Sequence, residues 1–345
     1  MKFIENASLR DHSTMRLGGC AAYLTHVANR EELKEAINWA KERQLPVIMM
    51  GQGSNIIWKD SGFDGLVICN KIFHTQSEPI SNQTDDTVFL KIGAGEVWDH
   101  VVELTVSEGI SGIETLSLIP GTAGATPIQN VGAYGQEIQD VLVNVEAYDS
   151  QTGEFAIIKG EDCGFGYRTS RFKTVDRGRF YITMITLRLR RGNPLPPFYP
   201  ALQSYLKNHR IVTFTPQIIR DAVITIRQAK LPDPTLVPNC GSFFANPVIE
   251  ESEYTGITAT YPNLPNWPVG DGKVKIPAAW LIEQAGLKDF HDAEMGVATW
   301  ANQPLVLVNR GAETSQQLLD FRDRIIHAIQ LRFGVLLEQE PELLP

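Results

Sequence analysis

The segments 51-GQGSN-55 and 119-IPGTAGATPIQNVGAYG-135 decide how this chain folds. The second lies within a run from Gly109 to Ile138 that is rich in Gly, Ala, Pro and Asn and has no sustained periodicity. Loops that long in a compact domain are usually functional or disordered, and the apolar residues here argue against disorder. We therefore expect an ordered loop wrapped around a ligand. GQGSN follows the apolar run PVIMM, which suggests a dinucleotide fingerprint, but Ile56 stands where the third glycine belongs and no helical pattern follows. Neither GAGEVW (93–98) nor CGFGYR (163–168) completes that fingerprint, and no Walker sequence is present. Glycines still let backbone N–H groups approach phosphate oxygens. Alone, GQGSN fits either a phosphate cradle or a plain tight turn. A pyrophosphate gripped from two sides would need both loops to be ordered and poor in side chains, and both are.

Working outward, the 345 residues suffice for two or three domains, and a hydrophobic fraction of 43% suits a well-cored protein. The longest apolar runs, LPVIMM (45–50) and PLVLV (304–308), are too short for a bilayer core of about 30 Å. MKFIENASLR contains no signal-type apolar segment. The expectation is a cytoplasmic monomer. A net charge of −9 without a basic stripe excludes nucleic acid as a partner but leaves small anions open. Cysteines at 20, 69, 163 and 240 form no Cys-x-x-Cys pair, and the seven histidines form no His-Glu-x-x-His. No disulfide framework or metal site is expected.

Periodicity supplies the elements of a mixed α+β protein without long-range repeats. Asn29 with Glu32 resembles a capping box, and Leu33, Ile37 and Ala40 share one face of the helix that follows. PVIMM, GLVIC, TVFLKIGAG, RFYITMITLRLR and PLVLVN read as strands. VLVNVEAYDSQTGEFAIIKG reads as a hairpin turning near Gly153. EVWDHVVELTVSEG reads as a helix with Val97, Val101 and Leu104 on one stripe, closed by Gly109. Further helices are expected at PQIIRDAVITIRQAK, opening on Pro216, and near IPAAWLIEQAG. In TSQQLLDFRDRIIHAIQLRF, Leu318, Phe321, Ile325 and Ile329 share a face and Gly334 ends the helix; a last strand is expected at VLLE. NPLPPFYP (193–200) and LPDP (231–234) break regular structure and are candidate domain boundaries.

The two glycine loops resemble the FAD cradle of the vanillyl-alcohol-oxidase (PCMH) type flavoproteins. Three further stretches, FGYRTSRF (165–172), KLPDP (230–234) and CGSFFANP (240–247), together with STMRLGG (13–19), narrow the resemblance to the UDP-N-acetylenolpyruvoylglucosamine reductases, type I branch. The six motifs occur in order between residues 13 and 247, and the resemblance covers residues 13 to 340. The resemblance implies a FAD-binding fold built from two segments, residues 1–66 and 67–230, a substrate domain at 231–334, and a final strand and tail, 335–345, returning to the first segment. It implies FAD held non-covalently by Gly51, Gly53, Ser54, Asn55, Pro120, Gly121, Thr122, Gly124, Gln129, Asn130, Gly132 and Ala133. NADPH would be the co-substrate and would take turns with the sugar nucleotide in one pocket, so no Rossmann domain is needed. The product would be UDP-N-acetylmuramate, a peptidoglycan precursor.

That chemistry delivers hydride to the vinyl carbon of UDP-N-acetylglucosamine enolpyruvate, and negative charge develops on the adjacent carbon and its carboxylate. Arg168 matches the family's catalytic arginine, and an always-charged guanidinium can grip a carboxylate with two parallel bonds. Such donors are worth about 3–4 kcal/mol each. Ser242 matches the proton donor, and its hydroxyl stays loaded at neutral pH. Cys240, as a thiol that a nearby cation would partly ionise, is less suited. With no histidine beside them, neither reads as a nucleophile. Spacing places the third catalytic residue at Glu340, with Glu338 on the same strand parity as fallback; Pro341 departs from the family pattern there. Tyr199, Lys230, Asn246 and Gln303 match substrate contacts, while Trp300 replaces the Ser or His common nearby. Two rivals remain: a flavin oxidase of the same superfamily, which should lack the Arg168, Ser242 and Lys230 set, and a non-catalytic flavin-binding module, which needs no proton donor.

Overall fold

A computed structural model describes residues 1–79 and 86–345, and the chain divides into two units. The first comprises Met1–Ala7, Ala21–Gln52 and Phe63–Gln228; the second comprises Ser8–Cys20, Gly53–Gly62 and Ala229–Pro345. The segment expected at residues 1–66 is thus shared between the two, and the chain crosses within GQGSN. Proline-rich 193–200 lies inside the first unit, whereas the later crossing at Gln228–Ala229 precedes LPDP.

In the first unit, one sheet carries the strands Ile4–Ser8, Cys20–Val27, Phe63–Asn70 and Val47–Met50 in that spatial order, the last three parallel. The helix Arg30–Glu42 covers it with buried Leu33, Ala36, Ile37 and Ala40. Asn29 accepts the Glu32 N–H at 2.8 Å, and Glu32 reaches back to the Ala28 N–H at 2.7 Å, a capping box displaced by one residue. A larger antiparallel sheet orders Glu154–Lys159, Leu142–Asp149, Phe180–Arg191, Thr87–Gly93 and Thr75–Pro79, with Ile110–Ser111 also against Phe180–Arg191. The helix Trp98–Ser107 packs on its core through Trp98, Val101, Val102, Thr105 and Val106. Its expected stripe is corrected: Leu104 is 40% exposed, and Val97 is the N-cap rather than a helical residue. The buried face follows Trp98, Val101, Val102 and Thr105, which satisfies the same spacing rule in a rotated frame.

In the second unit, a sheet orders Asn239–Ser242, Gln303–Asn309, Val297–Trp300 and His291–Asp292, all antiparallel. A three-stranded sheet orders Val248–Glu250, Lys273–Lys275 and Trp267–Gly270. The helix Ser315–Phe333 buries Leu318, Phe321, Ile325 and Ile329 and stops at left-handed Gly334. Thr314 and Gln317 cap its start reciprocally. The expected strand at VLLE is absent; Glu342–Leu344 instead pairs in parallel with Ile56–Trp58. Pro341, with no N–H to give a ladder, separates the two stretches. Two helices, Pro200–Asn208 and Glu251–Thr260, were not foreseen. Among the described residues no helix is long and apolar enough to cross a membrane.

Candidate active site

The two glycine loops touch within the first unit. A Cβ on Gly51 would run into the Thr122 side chain, and one on Gly124 into Ala94. Only glycine permits that approach without displacing backbone. The Gln52 amide oxygen accepts the Gly121 N–H at 3.1 Å, while Ala123 and Gly124 donate to Glu96 and Ala94 carbonyls at 2.8 and 3.0 Å. The loop 119–135 is therefore ordered by its own backbone, as expected, and is poor in projecting side chains. In the second unit, Gly53 presents its carbonyl to the Thr14 N–H at 3.2 Å, which ties STMRLGG to GQGSN. Asn55 accepts the Glu342 N–H at 3.0 Å. Loops of this composition, brought close by glycine contacts, fit a pyrophosphate-bearing cofactor.

Asn130, an expected cofactor contact, is held from several sides. Asn130 is fully buried with φ of +48°, and its amide donates to Glu137 at 2.7 Å and to the Gly166 carbonyl at 3.1 Å. Its oxygen accepts the Gln139 N–H at 3.2 Å. Both ends of the side chain are committed inside the protein, so the expected cofactor contact would fall to its backbone.

Arg168 stands on a tight turn. Gly166 and Thr169 exchange backbone hydrogen bonds of 3.1 and 3.3 Å, leaving Tyr167 and Arg168 at the corners. Arg168 has φ of +55°, at the position where such turns call for glycine or asparagine. A left-handed side-chain-bearing residue costs about 1–2 kcal/mol. Its guanidinium donates to the Gly132 carbonyl at 3.0 Å and lies 5.3 Å from the Tyr167 ring. Nearby on the same loop, Tyr134 meets Tyr199 edge-to-face at 6.0 Å, and Tyr199 is 41% exposed at the start of Pro200–Asn208. Burial raises the Tyr134 phenol, with Arg227 opposing and Tyr199 assisting the rise. Arg227 itself donates to the Leu118 carbonyl at 3.3 Å and keeps a buried Nε without a partner among the described residues.

In the second unit, the strand carrying Ser242 contains a bulge: Asn239 pairs with Val308 and Ser242 with Val306, so one extra residue is accommodated. Gly241 takes φ of +77°, and its N–H is received by the Asn239 side chain at 2.9 Å. A Cβ there would meet nothing, so the glycine serves the dihedral rather than a close approach. The bulge returns Ser242 to the ladder half-exposed, with a hydroxyl that has no hydrogen-bond partner among the described residues. Cys240 is 2% exposed in the core, and burial, helped by the Glu340 charge, pushes its thiol far up. It stays a neutral thiol because it is buried, a different reason from the cation argument made on the sequence.

Glu338 to Glu340 runs antiparallel beside Phe243 to Ala245. Ala245 donates to the Glu338 carbonyl at 3.0 Å and Glu340 to the Phe243 carbonyl at 2.9 Å. Glu340 thus falls at the Ser242 end and is half-buried, while Glu338 is exposed. Asn246 accepts the Ala278 N–H at 3.0 Å, capping Ala278–Gln284. Gln303 opens the strand that flanks Ser242, and Asn302 donates to the Ala229 carbonyl at 3.1 Å. That bond, with Leu231 and Trp300 both packed against the buried cluster Ala298, Val306 and Val308, sets exposed Lys230 beside the 300–303 turn. The second unit therefore carries Ser242, Glu340, Asn246, Gln303 and Lys230, with Glu340 and the Gln303 strand beside Ser242, and the first carries Arg168, Tyr199 and most of the cradle. Sequence reasoning missed Gln52, Tyr134, Arg227 and Asn239. Asn239, two residues before a glycine, carried the only local signal, that of an Asx turn.

Residues 21–158 match the family model described as FAD binding domain, and residues 233–344 match the C-terminal domain model of UDP-N-acetylenolpyruvoylglucosamine reductase. The protein of that name from Ralstonia nicotianae is 39% identical over 330 residues, covering 96% of each chain. Its namesake from Pseudomonas aeruginosa is 37% identical over 339 residues, covering 98% of each. A crystal structure of UDP-N-acetylenolpyruvylglucosamine reductase from Thermus caldophilus aligns over 100% of this chain and 98% of its own, with TM-score 0.67 and 23% identity, a likeness of fold.

Proposed function

Because the chain belongs to the UDP-N-acetylenolpyruvoylglucosamine reductase family, it is a FAD-dependent oxidoreductase of peptidoglycan precursor synthesis, and we propose how its residues divide that work. FAD, when bound, would supply the two-electron chemistry by which NADPH reduces the enolpyruvyl group of UDP-N-acetylglucosamine enolpyruvate. Residues 1–66 and 67–230 would hold FAD, through Gly51, Gly53, Ser54, Asn55, Pro120, Gly121, Thr122, Gly124, Gln129, the Asn130 backbone, Gly132 and Ala133; residues 231–334 take the sugar nucleotide. Lys230 and Asn246 hold the diphosphate and its neighbours, Gln303 the carboxylate side, and Tyr199 covers the uridine diphosphate.

Arg168 grips the substrate carboxylate, where negative charge grows as the vinyl carbon is reduced. Donors fixed in advance at such a point lower the barrier because they need no reorganisation. Ser242 gives its hydroxyl proton to the adjacent carbon, and Glu340, bonded by its backbone to the residue after Ser242, is the second catalytic group. The observation that carries this assignment is the Cys240–Gly241 bulge, which buries the thiol and leaves the hydroxyl half-exposed and unpaired among the described residues. Bulges beside active sites commonly re-aim one side chain.

Ser242→Ala tests the assignment in stopped flow. Flavin reduction by NADPH should be nearly unchanged, while reoxidation by the enolpyruvyl sugar nucleotide should slow by about 10² to 10⁴. Unchanged reoxidation would move the proton donor elsewhere. We also take the protein to act as a cytoplasmic monomer, which light scattering on the purified chain can check for oligomeric state.

A further inference from the structure

We propose that Asn130 is a positioning residue for Arg168, acting through a side-chain latch between the loop 128–137 and the turn 166–169. The inference rests on the role given above to Arg168.

Side-chain bonds join the loop to residues 166–170. The Asn130 amide donates to the Gly166 carbonyl at 3.1 Å, Arg168 donates to the Gly132 carbonyl at 3.0 Å, and the Ser170 hydroxyl donates to the Ile128 carbonyl at 2.7 Å. The Asn130 bond comes from a fully buried side chain that is also anchored at two other points, and it is the one that holds the first residue of the turn. The second N–H of that side chain is held by Glu137 and its oxygen by the Gln139 N–H. Gly166 is the first residue of the turn that bears Arg168, so the latch fixes the base from which the guanidinium projects.

Backbone strain points the same way. Asn130 and Arg168 both adopt left-handed dihedrals, φ +48° and +55°. Strain of this kind persists only where the surroundings over-determine it, and here each strained residue donates to a carbonyl two residues from the other, Asn130 to Gly166 and Arg168 to Gly132. Gly132 lies between them, with Glu137 Cγ and the Arg168 guanidinium both close to where its Cβ would be, 2.7 and 3.4 Å. Releasing the latch would let the turn relax and the guanidinium drift, and a misplacement of about 1 Å can cost roughly 10²-fold in rate.

Asn130→Gly is the discriminating variant, since glycine accepts the left-handed dihedral without strain and deletes only the amide. Asn130→Asp keeps the size and the acceptor for Gln139 but loses both donors. With FAD content and NADPH-driven flavin reduction as controls, each should slow reoxidation by the enolpyruvyl sugar nucleotide by about 10- to 100-fold at saturating substrate. In an Arg168→Ala background, Asn130→Gly should add less than about twofold, because a positioning residue has nothing left to position. Full additivity, unchanged reoxidation in both Asn130 variants, or a loss explained by missing FAD would overturn the latch while leaving the role of Arg168 standing. Normal reoxidation by Arg168→Ala would overturn both.

Discussion

Asp99→Ala should cost the protein far more stability than Arg220→Met, although the two residues form one ion pair. Arg220 is 6% exposed and donates through both terminal nitrogens to Asp99, at 2.7 and 3.0 Å. Asp99, with its side chain 24% exposed, also accepts the N–H of Leu118. Removing the carboxylate strands a nearly buried guanidinium, at about 3–5 kcal/mol. Removing the guanidinium leaves a carboxylate with solvent and one N–H still available, at about 1–2 kcal/mol. The imbalance reaches the cofactor loop, because Leu118 holds φ of +57° three residues before Gly121, fixed by Asp99 at its N–H and by Arg227 at its carbonyl. Urea unfolding at constant excess FAD measures the first effect, and flavin retained through gel filtration measures the second; Asp99→Ala should lose both. The pair also has a pH signature. Burial alone would raise the Asp99 carboxyl, but the Arg220 bonds, the Leu118 N–H and the Arg220 charge together hold it below its ordinary value. A carboxyl lowered by folding stabilises above its unfolded value and stops doing so as pH falls, so wild type should lose more stability than Asp99→Ala below about pH 4. A cost under about 1 kcal/mol for Asp99→Ala, or an equal or larger cost for Arg220→Met, would refute the reasoning.

Asp149, bonded by Arg179 at 2.9 and 2.7 Å, has its carboxyl brought down to about 2, chiefly by those bonds. Melting temperatures should therefore show a stability loss between about pH 4 and pH 2 that Asp149→Asn removes. Gly241→Ala should destabilise by about 1–2 kcal/mol through its positive φ, with no steric term, and should slow reoxidation by turning Ser242; a stable variant of full activity would show the bulge to be incidental. Glu340→Gln should impair the enolpyruvyl half-reaction while Glu338→Gln leaves it near wild type, and the reverse result would transfer the role to Glu338.

What the sequence made legible is what depends on local pattern. The Arg30–Glu42 and Ser315–Phe333 helices announced their buried faces and caps, because 3.6-residue periodicity and capping chemistry act over a few residues. The proline run hid the helix Pro200–Asn208, since a proline that breaks a helix interior is welcome at its first position. Trp98, large and apolar, drew the Trp98–Ser107 stripe away from Leu104 in a way periodicity alone could not choose. Glu342–Leu344 finds its partner almost the whole chain away, which no local window can see. At the site, residue types pointed to Ser242 and Arg168, but the aim of each depends on distant bonds: a bulge read against Val306, and a turn latched from Asn130.

The interleaving of the two units sets an order on synthesis. Residues 8–20 and 53–62 emerge early, yet their unit also needs 229–345, including Glu342–Leu344 for the edge of Ile56–Trp58. The first unit can complete once residue 228 is out, while those two segments wait unpartnered as the remainder is translated, at about 5–20 residues per second. Until then the core that buries Met15, Leu17 and Ile57 and the strand that pairs with Ile56–Trp58 are incomplete, for on the order of 10 s at that rate. The nascent chain, rather than the finished enzyme, is where this fold is most exposed to aggregation and to chaperones.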